Sequence, residues 1–144
     1  MIEQDTIKLL RECDAGIKMG VTAIDEVVEK IESEDFKAIL TENRNKHIEL
    51  GHEIEHLLAD FNDEGKEPPA IAEIMSKIKT SIKLTTKFAD KAAADIITDG
   101  GNMGIKSLSR YLNQYKAADE KSKNITEKLI KLETDLVSSV RIFL

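Results

Sequence analysis

The chain has 144 residues, with 33% charged, 41% apolar and only 4% aromatic side chains and no tryptophan, which is the size of one domain and the composition of helices packed through aliphatic residues. A formal charge of -6, from 27 acidic and 21 basic residues with no large lysine block, argues against nucleic acid as a partner. Cys13 is the only cysteine, which excludes an internal disulfide and a four-thiolate metal site; no apolar run approaches the roughly 20 residues of a membrane span, and no signal peptide is legible, so a cytoplasmic protein is expected.

Apolar residues recur at helical spacing in four segments, predicted as helices over about 5–32, 35–62, 69–98 and 102–143 of a single domain spanning 1–144. The first carries Leu10, Cys13, Ile17, Val21, Ile24, Val28 and Ile31 on one stripe. A soft break at "ESED" leads to the second, with Phe36, Leu40, Asn43, His47, Leu50, Ile54, Leu57 and Phe61. So short a join makes these two antiparallel neighbours.

Gly65 is expected to end the second helix, and Pro68 and Pro69 to block its continuation. The third stripe reads Ile71, Ile74, Ile78, Ile82, Thr85, Ala89, Ala92 and Ile96, and "TDGGNMG" is read as the break before the fourth helix. Continuous from Asn102 to the end, that last helix would be about 60 Å long against about 40 Å for the first two. Its surplus turns must be covered: either the helix bends, or its C-terminal apolar residues pack against a second copy. Four amphipathic helices with short loops predict an all-α, up-down-up-down four-helix bundle with a long C-terminal helix.

The stretch "HIELGHEIEH" contains Glu-x-x-His twice. On a helical wheel His52 and His56 lie about 165° and about 155° from the centre of the apolar stripe, so Glu49, His52, Glu53 and His56 face water and could at most form a surface metal patch. His47, about 25° off centre, is predicted inside. A buried imidazole needs partners, and Asn43, Thr85, Tyr111 and Tyr115 are the candidates for a shared polar network. Small side chains at Ala89, Ala92, Ala118 and Ser122 either leave room for a pocket between the third and fourth helices or let the two helices close up, and closing up is the expectation.

The stretches "MGVTAIDEVVEKI", "NKHIELGHEIEHLL", "DEGKEPP" and "DGGNMGIKSLSRYLNQYKAADEKSK" together resemble the ferritin-like superfamily, and within it a small bacterial branch of unassigned role. The resemblance covers nearly the whole chain. It implies a bundle whose relatives hold two iron or manganese ions between inward glutamates and Glu-x-x-His pairs. At the corresponding positions this sequence offers only Asp14, His47 and Asp119 as metal ligands. Arg44 precedes His47 where a carboxylate is wanted, and Ser122 follows Asp119 where a histidine is wanted. The expectation is therefore a non-enzymatic bundle without a cofactor that self-associates or binds a protein through its long fourth helix, the alternative being a di-metal oxidoreductase or iron-handling protein.

Overall fold

The computed structural model describes residues 2–69, 71–84 and 89–144. All regular elements among them are helical: α1 (Ile2–Val28), α2 (Glu34–Ala59), α3 (Ile71–Leu84), α4 (Ala89–Gln114), α5 (Glu120–Val140) and a closing 3₁₀ turn (Arg141–Phe143). No described helix is long and apolar enough to cross a membrane.

The second helix forms where the periodicity places it, whereas α1 ends at Val28, four residues short of the expected end, with Ile31 buried outside it. Ser33 caps α2 by accepting a hydrogen bond from the Phe36 amide at 3.2 Å, and Glu34 and Asp35 complement the positive end of the helix. At the far end Asn62, at φ 55°, ends α2: its amide donates to the Ala59 carbonyl and the Asp63 amide to that of Leu58, which satisfies carbonyls the helix leaves free. Gly65 does not end the helix as expected. Its φ of 91° serves the next turn, where a Cβ would collide with the Asp14 carboxylate.

The third and fourth elements differ from expectation. Helix α4 runs straight through Gly100, Gly101 and Gly104, and the chain breaks instead between Gln114 and Glu120, so there is no continuous helix over 102–143. The glycines answer a packing need: a Cβ on Gly101 would lie 2.5 Å from Val137 Cγ2, and one on Gly104 would lie 3.5 Å from the Glu133 carboxyl carbon. Neither glycine has a positive φ. The true break is made by capping. The Asp119 side chain accepts from the Ser122 amide at 2.8 Å, while Asp5 and Thr6 of α1 accept from the amides of Ala117 and Asp119.

Two core clusters fix the helix directions. At one end Leu10, Cys13 and Ile17 of α1 meet Leu50, Ile54 and Leu58 of α2, Leu108 of α4, and Ile125 and Leu129 of α5. At the other Ile24 and Val27 meet Phe36 and Leu40, Ile78 of α3, Ala93, Ala94 and Ile97, and Leu136 and Val140. Helices α1 and α5 therefore run one way, and α2 and α4 the other. The intervening α3 ascends beside α1, with Glu67 against Lys18 below and Ile74 and Ile78 against the upper cluster. Because α3 ascends and α4 descends, the predicted helix over 69–98 is two elements of opposite direction.

Candidate functional site

Midway between the two clusters lies the one described histidine of the interior. His47 is 0% exposed, and Glu133 of α5, which faces it, is 8% exposed. The imidazole Nε2 is 2.7 Å from Glu133 Oε1, and Nδ1 is 3.0 Å from the carbonyl oxygen of Asn43, one turn earlier on α2. Burial alone would lower the basicity of His47. The hydrogen bond and charge of Glu133, with the Asn43 carbonyl, outweigh that effect and raise its pKa above the ordinary imidazole value.

Glycines frame the pair. A Cβ on Gly20 of α1 would stand 3.1 Å from His47 Nε2, and one on Gly101 or Gly104 of α4 would stand 3.6 or 3.5 Å from Glu133 Oε2. Two helix backbones thereby close on the polar pair in place of side chains. Asn43 is buried too: its Nδ2 donates to the Leu132 carbonyl at 3.2 Å, and its Oδ1 is buried with no hydrogen-bond partner among the described residues.

The predicted network around His47 is thus met by Asn43 and by an unexpected acid, not by the tyrosines. Thr85 lies outside the described residues. Tyr111 and Tyr115 stack on each other with centroids 6.1 Å apart. They belong to a different cluster: burial and the neighbouring Glu12 raise the Tyr111 pKa, and Lys66 Nζ lies 2.5 Å from Glu12 Oε1. Tyr111 is seven residues below Gly104, about 10 Å along α4, and its hydroxyl is hydrogen-bonded to Glu12, while the imidazole is bonded to Asn43 and Glu133.

The carboxylates expected as metal ligands are also apart. Asp14 is buried, but it accepts from the Lys66 amide at 2.9 Å and pairs with Lys18 Nζ at 2.9 Å, holding the α2–α3 connection against α1. Asp119 caps α5 beside Thr6, about 14 residues and roughly 21 Å down α1 from the level of Gly20. Asp14, His47 and Asp119 do not converge. Glu49, His52, Glu53 and His56 are all exposed on the outer side of α2, the surface position that the helical wheel predicts. Among the described residues no group of three or more His, Cys, Asp or Glu side chains is arranged to hold a metal ion.

A two-metal carboxylate centre can be tested against the donor set directly. Around His47 the inward positions of α1 and α4 are glycines, leaving one imidazole, one carboxylate and the neutral Asn43 amide oxygen. Two divalent cations need several anionic oxygens to offset their charge in a buried site. The residues present do not fit such a centre. The small residues do not share one level: Ala89 begins α4 at the upper end, while Ala118 and Ser122 lie at the lower end near the Asp119–Thr6 contact, so they do not line one pocket among the described residues.

Comparison of the chain with protein-family models, with curated proteins and with solved structures finds no match.

Glu133 is the residue that sequence reasoning passed over. Its signal is positional: Leu129, Glu133, Leu136 and Val140 follow the four-three-four spacing of the buried face of α5. Drawing the stripe through the apolar Leu132 shifts it by one residue and hides the acid.

Proposed function

We propose that this chain is a ferritin-like four-helix bundle that acts by association, with itself or with another protein, and not by catalysis at its centre. The observation that carries the reading is the closure of the His47–Glu133 pair. Both ring nitrogens are engaged within the chain, and glycine backbone lies against the two side chains, so this pair offers neither ring nitrogen free to a substrate.

The bundle assignment is supported by the core. Helices α1, α2, α4 and α5 supply nearly all of both clusters, spatial neighbours are antiparallel, and α3 ascends as the long crossover between α2 and α4. One long crossover of this kind is the connectivity of ferritin-like bundles. The association surface differs from the overlong helix of the sequence reading. Val140 is buried and Phe143 stacks on Phe36 at 4.4 Å, which leaves Ile142, 80% exposed, and Leu144, 51% exposed, turned outward together at the closing 3₁₀ turn.

Sedimentation velocity across a wide concentration range tests this. The expected result is a mass above one chain that grows with concentration and returns to monomer in the double variant Ile142→Asp, Leu144→Asp. A wild-type monomer into the high-micromolar range overturns self-association. Stoichiometric uptake of Fe²⁺ or Mn²⁺ that is lost in His47→Ala overturns the inert centre in favour of the di-metal alternative.

A further inference from the structure

Both atoms that face the His47 ring nitrogens are hydrogen-bond acceptors. Nδ1 looks at a peptide carbonyl at 3.0 Å and Nε2 at a carboxylate oxygen at 2.7 Å. A neutral imidazole carries one N–H and one lone pair, so with an ionised Glu133 it can satisfy only one of these contacts, and the other sets lone pair against lone pair. An imidazolium donates from both nitrogens and satisfies both.

Shifting that proton onto Glu133 would also fill the contacts, but imidazole is ordinarily the stronger base by about two pK units. Among the described residues no other charged group forms a hydrogen bond or ion pair with His47 or Glu133. From α1 the pair is faced by Gly20, from α4 by Gly101 and Gly104, and from α2 by the neutral Asn43. The charged neighbours in sequence are engaged elsewhere, Arg44 with Asp25 and Lys131 with Asp135. Asp14, the nearest buried acid of α1, is six residues below Gly20, about 9 Å along the helix, and is neutralised by Lys18.

We propose that His47 is a stored proton: the folded chain keeps it doubly protonated against Glu133 at neutral and mildly alkaline pH, so that the bundle takes up one proton on folding and loosens as that proton leaves. The cation that closes the centre is then a proton, held between His47 and Glu133 where the backbones of Gly20, Gly101 and Gly104 approach the pair. The balance is simple. In the unfolded chain at pH 7.5 an ordinary histidine is mostly neutral and an ordinary glutamate ionised. On folding, one proton passes from solvent to the imidazole.

The sign follows. The pair's contribution is fully present below the unfolded histidine value of about 6.5, and it is lost as pH rises from there through the higher value of the folded state, because the folded state binds the extra proton. Across that window the unfolding constant is expected to rise by about tenfold per pH unit from this group alone.

Two measurements on the full chain decide it. Nitrogen NMR of the wild-type histidine side chains, with exposed His52 and His56 as reference signals, is expected to find two N–H protons on His47 at pH 7.5. Denaturant unfolding against pH is then compared between wild type and Glu133→Gln. A carboxamide at 133 can donate into the Nε2 lone pair while Nδ1–H donates to Asn43, so that variant needs no extra proton, and its pH slope is expected to be shallower than wild type by one proton. Equal slopes overturn the proposal. So does a His47 with a single N–H at pH 7.5, a result that stands even where the variant does not fold.

Discussion

Two adjacent glycines of α4 separate packing from propensity. Gly100 has nothing within 4 Å of an added Cβ, whereas a Cβ on Gly101 would lie 2.5 Å from Val137 Cγ2. Both are helical and neither has a positive φ. Gly100→Ala should therefore stabilise the chain by roughly 0.5–1 kcal/mol through helix propensity alone. Gly101→Ala should destabilise it by about 1–3 kcal/mol, the usual cost of overpacking, and Val137→Ala in the same chain should recover part of that loss. Thermal or urea unfolding of the three variants checks the ordering; equal effects at 100 and 101 would contradict the packing role. The same residues show why the interior was only half legible. The phase of α2 locates His47 correctly, because a histidine flanked at helical spacing by Leu40, Leu50 and Ile54 has one way to face. Its partner was not legible, since a glutamate is assigned to the surface by default and only the three-dimensional meeting of α2 with α5 supplies its reason for burial.

Helix ends carry the next lesson. Where a cap and a short join coincide, as at Ser33, the element and its neighbour follow from the sequence, and α1 and α2 were readable for that reason. Between Gln114 and Glu120 the break uses neither glycine nor proline. It uses Asp119 as a cap, with Asp5 and Thr6 of α1 holding the turn's amides, and the last two contacts depend on residues more than a hundred positions away. Conversely, the glycine cluster at 100–104 has the composition of a turn but lies inside a helix, because Val137 and Glu133 need its missing side chains. Replacing Asp119 by Ala should cost about 0.5–2 kcal/mol as the α5 cap is lost. Asn, which retains an acceptor, should recover most of it. Equilibrium unfolding of Asp119→Ala and Asp119→Asn makes the test, and equal losses in both would point to charge rather than capping.

At the scale of the whole molecule the α2–α3 connection is fastened to α1 by Arg11 to Asp63, Glu12 to Lys66, Asp14 to the Lys66 amide and Lys18 to Glu67. Most of these side chains are partly in water, where single ion pairs contribute about 0–1 kcal/mol and salt weakens them. The interior beneath is far better defended, and Cys13 reports on it. The only thiol of the chain is wholly buried beside Thr126, at 3.2 Å, and burial, with the nearby charges of Glu12 and Asp14, pushes its pKa up to about 12. Thiolate is the reactive form, so at pH 8 only about one native molecule in ten thousand would present it, even if reagent could enter. Modification by a disulfide reagent must then wait for the helices to part, which turns this sulfur into a stopwatch for opening. Its labelling rate in the native chain should fall orders of magnitude below that of an unfolded control and accelerate with denaturant in step with global unfolding; immediate labelling of the folded chain would mean that α1 lifts away on its own.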